Sequence, residues 1–383
     1  MKIILATPLY PPEIGGPATY IKELCERINK THEIVVVAYA NNALPQPGVK
    51  LIAVSKKQPL AVRLFKYFLA LWKAAKEADL IYAQSAVAAG LPAALVACLR
   101  NQPLVVKFVG DEAWERAVQS RQTQKSLEEF LAKPEGKIKI KMMMAVEKFV
   151  LRRAAIVTTP SDYLKNIIVR AYGLKNDRVI VNYNAAEETK NDEFSDKKER
   201  LPYQIMTTAR LVPWKGVDGI IRAVAFLKNR FPEINFVVAG DGPEEKNLRR
   251  LAEETGVKNN VKFLGRVTRE ETWQLRKNSA VYVLNSSYEG LPHVVLTSFA
   301  AGIPVIATNI PGTNEAVYHE KTGLLVPSGD DWALAEAIAR LFTDAELTRR
   351  LVAGGKKILE EKFSWATHLA TLANIFKSAL SRP

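Results

Sequence analysis

The sequence predicts an α/β protein built as two doubly wound domains, each a parallel sheet wrapped by helices. Three observations carry this. Short apolar runs alternate with amphipathic segments along the whole chain, the pattern of repeated strand–helix–strand units. The runs are continuous rather than alternating, as strands covered on both faces must be. And 383 residues are enough for two cores of ordinary size.

In the first half the runs fall at 2–6, 33–38, 49–54, 80–83, 104–109, 156–159 and 179–181. In the second half they fall at 203–209, 234–239, 261–264, 280–284 and 304–307. Between them, AEETKNDEFSDKKERL has almost no apolar content and reads as a linker. The division is therefore a first domain at 1–185, a linker at 186–201, a second domain at 202–362 and a closing helix at 363–383. From Asp330 onward the chain reads as helices, with Phe363 to Trp365 opening the last.

Charge is unevenly spread. Residues 1–185 hold 27 Lys and Arg against 15 Asp and Glu, whereas the rest hold 27 against 25, so most of the net +14 lies in one half. Such a field implies an anionic partner, and without aromatics interleaved on strands a membrane surface is preferred to nucleic acid. Two segments look both basic and amphipathic. In one, Arg63, Lys66, Lys73 and Lys76 share an arc, opposite Leu64, Phe65, Phe68, Leu71 and Trp72. In the other, Lys137, Lys139, Lys141, Lys148, Arg152 and Arg153 accompany Ile138, Ile140, Met142 to Met144, Phe149 and Val150. Two readings stay open for both: helices on the sheet with a solvated charged face, or a surface that docks on anionic lipid.

The start, MKIILATPLYPP, is a strand rather than a secretory signal, so the expected place is the cytoplasm, peripheral on the inner face of the membrane if the basic face docks. The uncharged stretch 80–99 reads as a strand and a buried helix rather than a membrane span, because Gln84, Ser85, Gly90 and Pro92 interrupt it. Cys25 and Cys98 read as core thiols without a disulfide. No His, Cys or Asp cluster has metal-ligand spacing, and no metal is expected.

Parallel sheets bind ligands outside the carboxyl ends of their strands. The stretch 285–306, NSSYEGLPHVVLTSFAAGIPVI, reads as a polar loop, a helix from about Pro292 to Ala301 and a further strand. Glu289 stands at the mouth of that helix, whose free N–H groups suit an anion. In ARLVPWKGVDG, Arg210 and Lys215 flank a Pro-Trp turn after a strand and can point at one site. Gly240 and Gly242 occupy another strand-to-helix turn, Arg266 and Val267 follow the next strand, and Gly15 and Gly16 open the first helix of the chain. These features are weak singly.

Together, Ser286, Tyr288, Glu289, Gly290, Leu291 and Pro292 with HVVLTSFAAGIPVIAT, the Arg210 and Lys215-Gly216 pattern, and the glycine turns closely resemble retaining glycosyltransferases of family 4. That resemblance implies the GT-B fold, two Rossmann-like domains facing a central cleft. It also implies transfer of a sugar from a nucleotide-diphosphate sugar, UDP- or GDP-linked, with retention of configuration and no cofactor. Glu289 and the loop backbone at Tyr288, Gly290, Leu291 and Pro292 would hold the donor sugar, and Arg210 and Lys215 its diphosphate. Gly240, Gly242, Arg266 and Val267 would line the nucleotide side, and Gly15 and Gly16 the cleft wall. His293 reads as a helix-start residue at a variable position.

Two positions depart from the family. Thr297 stands where relatives carry a second glutamate for the ribose, and Val109 where many carry a histidine. Asp111 and Glu112 are then the nearest groups able to take a proton or hold a sugar hydroxyl, with Asp111 equally suited to capping the next helix. Glu315 either caps a helix or lines the cleft. The basic first half adds an envelope or lipid-linked glycan as the expected acceptor. Two other activities fit the same departures: a nucleotide-sugar or glycan binder without turnover, and a nucleotide-sugar epimerase.

Overall fold

The computed structural model describes residues 1–13, 15–186 and 200–382, so the linker read at 186–201 lies almost wholly outside the described residues. The chain forms two compact units, Met1–Asn182 with Leu369–Pro383, and Tyr183–His368.

The first unit runs β1 (Lys2–Thr7), α1 (Gly16–Ile28), β2 (Glu33–Tyr39), β3 (Val49–Val54), α2 (Leu60–Ala74), β4 (Leu80–Ala83), α3 (Gly90–Arg100) and β5 (Leu104–Lys107). It continues with α4 (Glu112–Gln119), α5 (Leu127–Ala132), α6 (Ile138–Arg153), β6 (Ile156–Thr159), α7 (Asp162–Tyr172) and β7 (Val179–Val181). The strands form one seven-stranded sheet in the order β3-β2-β1-β4-β5-β6-β7, and every pairing is parallel. The chain starts in the middle, winds to one edge, then returns to build the other side. Ile3 to Ala6 and all of β4 are fully buried, which explains their unbroken apolar runs.

The stretch 80–99 is β4 followed by α3, and no described helix is long and apolar enough to cross a membrane. β5 ends two residues before the expected point. Phe108 N–H still donates to Thr158 O, but Val109 is 47% exposed because Asp111 already caps α4. Cys98 is also not a core thiol: it lies exposed on α3, while Cys25 is buried, and both are free.

The second unit runs β8 (Leu201–Thr208), α8 (Val217–Leu227), β9 (Asn235–Ala239), α9 (Glu245–Glu254), β10 (Val261–Gly265), α10 (Arg269–Asn278), β11 (Ser279–Leu284), α11 (His293–Ala300), β12 (Val305–Thr308) and β13 (Leu324–Val326). Then come α12 (Asp331–Thr343), α13 (Ala345–Lys362) and α14 (Trp365–Leu380), whose residues from Leu369 belong to the first unit. There Phe376 meets the Tyr82 ring edge-on, centroids 5.5 Å apart.

Six parallel strands are ordered β10-β9-β8-β11-β12-β13. Side chains alternate between faces: Ile205 joins Val281 and Val283 against Ile220, Leu248 and Leu334, whereas Met206 joins Tyr282 and Leu284 against Phe299. β13 is an edge strand that the apolar pattern did not predict, because three residues are too few to show a period. Ile220 of α8 is fully buried in the first of these clusters. Its replacement, Ile220→Ala, is expected to cost about 2–5 kcal/mol, read as a lower urea midpoint by circular dichroism.

Candidate active site

In the second unit the strand order switches direction between β8 and β11, so the loops leaving their carboxyl ends run side by side. A crevice forms at such a point in open parallel sheets. The two loops are stitched together. Ser287 N–H donates to Trp214 O at 2.9 Å, and Asn285 Nδ2 to Gly216 O at 2.9 Å. Gly216 has φ of 60°, and a Cβ there would stand 2.0 Å from Asn285 O, so only glycine allows this approach.

At this seam Lys215 Nζ donates to Glu289 Oε1 at 2.6 Å, and Ser286 Oγ donates to the same oxygen at 2.7 Å. The Glu289 side chain is 10% exposed and that of Lys215 22%. Both bonds land on Oε1, which leaves Oε2 with acceptor capacity. Ser286 is fully buried, and its carbonyl accepts from Thr308 Oγ1. Arg210 is exposed at the end of β8.

The loop after β9 lies on the backbone of the loop after β8. Cβ atoms at Gly240 and Gly242 would stand 1.9 Å from Ala209 O and 2.3 Å from Leu211 O, and Leu211 N–H donates to Asp241 O at 2.8 Å. Beyond β10, exposed Arg266 pairs with Asp241 at 2.7 Å, and Val267 is half-buried. Tyr288 is half-buried, while Gly290, Leu291 and Pro292 are buried. Pro292 is the cap of α11 rather than its first residue, and the helix starts at His293, whose ring is hydrogen-bonded to Ala185 O at 3.1 Å. Thr297, on the same helix, donates its hydroxyl proton to Val294 O at 3.0 Å, which leaves lone pairs but no donor for a ligand. No helix follows Glu315 to be capped. Its carboxylate accepts from Tyr183 OH at 3.0 Å.

The first unit holds Gly15 as the cap of α1 and Gly16 as its exposed first residue. Asp111 does not present a reactive carboxylate there. It is 0% exposed, its Oδ1 accepts from Trp114 N–H at 2.7 Å to cap α4, and its Oδ2 accepts from Tyr172 OH. The capping alternative is the one the structure contains. Glu112 Oε1 accepts from Ser85 Oγ at 2.8 Å and Val87 N–H at 3.0 Å, fastening the loop after β4.

Sequence reasoning missed Glu147. It lies on α6, fully buried, where its carboxyl accepts from Glu112 N–H at 2.8 Å and from Tyr172 OH at 3.2 Å. Burial, then the charges of Asp111 and Glu112, push its pKa well above the usual carboxylate value. Asp111 is raised as well, mainly by burial. Burial and the neighbouring acidic charges therefore favour the protonated form of Glu147 beside Asp111. Its signal was hidden because one glutamate in a lysine-rich helix reads as part of a solvated face. Among the described residues no three His, Cys, Asp or Glu side chains gather as metal ligands.

Residues 15–185 match the glycosyl transferase 4-like domain, and residues 187–358 match the glycosyl transferases group 1 family. Between them the two models cover nearly the whole chain, which belongs to the glycosyl transferase families they describe. Among its relatives is the lipopolysaccharide core biosynthesis glycosyltransferase LpsD of Rhizobium meliloti, 35% identical over 51% of this chain and 56% of that protein. Another is a GDP-mannose-dependent α-(1-6)-phosphatidylinositol monomannoside mannosyltransferase of Mycobacterium tuberculosis, 30% identical over 61% of this chain and 66% of the relative. The matches thus span between half and two thirds of those relatives' lengths. In architecture the chain is similar to HepE of Anabaena, solved with UDP and glucose, at 21% identity and TM-score 0.78 over 99% of this chain and 100% of that one. The fold is GT-B.

The buried carboxyl pair sets a pH dependence. Glu147 binds its proton more tightly folded than unfolded, so its burial costs nothing below the unfolded value of 4.5 and costs progressively more as pH rises above it. Thermal melts of Glu147→Gln, which keeps an acceptor for Glu112 N–H and a donor for Asp111, are expected to gain on the wild type between pH 5 and pH 8. A constant difference across that range would count against a protonated Glu147.

Proposed function

We propose that this glycosyltransferase moves a sugar, with retention of configuration, from a UDP- or GDP-linked donor to an envelope or lipid-linked glycan. The observation that carries the reading is the Lys215–Glu289–Ser286 cluster at the switch point of the second sheet. In the free protein the ammonium and carboxylate compensate each other. A diphosphate competes for Lys215 and brings Arg210 to its other oxygens, and Glu289 is then released to accept from donor sugar hydroxyls.

In the reaction the bond between the sugar's anomeric carbon and the β-phosphate oxygen breaks, and the nucleoside diphosphate leaves with added negative charge. In this reading Lys215 and Arg210 stabilise that charge. The acceptor oxygen bonds to the same face of the anomeric carbon, and its proton passes to the departing diphosphate. This route needs no side-chain base, which is consistent with the buried state of Asp111 and with Val109 at the position of the family's histidine. Thr297 supplies lone pairs to one ribose hydroxyl where a carboxylate would engage two. The base is read through the backbone near Arg266 and Val267, and both nucleotides are supported by relatives: HepE is solved with UDP, and the mycobacterial enzyme is named for GDP-mannose.

Calorimetry with UDP, GDP, ADP and their sugars tests the reading. One nucleotide should saturate, and Lys215→Ala should weaken it by roughly tenfold to a hundredfold, the worth of a charge-assisted hydrogen bond. Glu289→Ala should bind the bare nucleotide at least as tightly, since Lys215 loses its competing partner, but should lose the extra affinity that the sugar confers. Failure of every nucleotide to bind would defeat the proposal.

A further inference from the structure

We propose that the outer face of α2, α3 and α6 is a docking surface for an anionic lipid bilayer. α3 packs between the other two helices, so the three make one continuous face of the first unit. They carry nine Lys and Arg and a single acid, Glu147. Glu147 is fully buried and points inward, so the charges these helices expose are the basic ones.

The same face is apolar. Of sixteen large hydrophobic side chains exposed among the described residues, eight lie on these three helices. On α6 the exposed positions Ile138, Lys141, Met142, Ala145, Lys148, Phe149 and Arg152 recur at helical spacing, with Lys139 exposed beside them, Ile138 at 73% and Met142 at 62% exposure. The spacing of the recurring set puts it on one stripe facing away from the core. On α3, Leu95 and Leu99 flank Cys98, and on α2, Phe65 is 62% exposed beside Lys66. Phe65 had been expected to fill the packed side of its helix. Leu71 does pack inward as expected, joined by Tyr67.

Cations and apolar groups mixed on one surface select the occupant. A nucleic acid would satisfy the cations but leave isoleucine, leucine and methionine in water, since it offers phosphates and base faces rather than hydrocarbon. A headgroup layer takes both: apolar side chains enter the acyl boundary while lysines remain with anionic headgroups, each contributing on the order of 1 kcal/mol. The inference deepens the proposed function, on which it rests only for its consequence, that an acceptor carried on lipid is met at the surface where the enzyme sits.

Flotation of the full chain with vesicles of phosphatidylcholine alone, or with phosphatidylglycerol added, tests the surface. Cys98, the exposed thiol of the two, takes an environment-sensitive dye as reporter. Binding to anionic but not neutral vesicles is expected, with a blue shift of the dye. Lys139→Gln, Lys141→Gln and Lys148→Gln combined should weaken it on the order of a hundredfold. Phe65→Ser with Met142→Ser should weaken vesicle binding and abolish the shift, while leaving binding to soluble polyphosphate unchanged. Equal binding to both vesicle types, no binding, or full binding by the serine variant would overturn the proposal, the last pointing to a polyanion or acidic protein instead. UDP titration of the same variants separates the two readings. Donor binding without vesicle binding removes only the surface, and vesicle binding without donor binding removes only the transferase.

Discussion

Lys215 and Glu289 lie 74 residues apart in sequence and meet at 2.6 Å, and the site in the second unit depends on that meeting. An exposed ion pair contributes about 0–1 kcal/mol, whereas removing one partner of a buried pair costs roughly 3–5 kcal/mol because a charge is left uncompensated. This pair lies between those limits, with the carboxylate the more buried partner. Its position suits an exchange. The lysine compensates the buried carboxylate, and in the proposed function a ligand would take its place by bringing an anion for the lysine and hydroxyl donors for the glutamate. Gly216, Asn285 and Ser287 matter because they hold the two loops at the separation at which this pair forms, and Thr308 fixes the backbone of Ser286 beside it.

Much of this was legible in the sequence because parallel sheets write themselves plainly. Strands covered on both faces must be apolar throughout, and turns pressed against neighbouring backbone must be glycine, so the runs at 2–6 and 80–83 and the glycines at 216, 240 and 242 stood out. What could not be read was the pairing of distant polar groups. Glu289 and Lys215 were each assigned to a ligand, but not to each other, because their bond is made by strand order rather than by local pattern. β13 escaped because it is three residues long and borrows its register from β12.

Asp111 and Glu147 show the limit more sharply. A carboxylate at a strand end can cap a helix or face a ligand, and the local sequence is the same in both cases. The choice was made by Tyr172 and Glu147, brought in from α7 and α6, which close over Asp111 and exclude it from water. Cys98 illustrates the opposite case. A cysteine in an apolar helix reads as core, yet α3 turns Leu95, Cys98 and Leu99 outward, so apolar content alone misassigned the face.

α6 joins these observations. Its inward side must hold α4 in place, and it does so through a hydrogen bond from Glu112 N–H to Glu147. An ionised glutamate there would stand close to Asp111 and Glu112 in a medium of low polarity, and it would also set a negative charge behind the lysines of the outer side. Burial favours the proton and removes both conflicts at once. One helix can therefore fasten a wall of the first unit on one side and present an unopposed positive, apolar stripe on the other. The cost is that stability falls as pH rises and the buried carboxyl is driven to ionise.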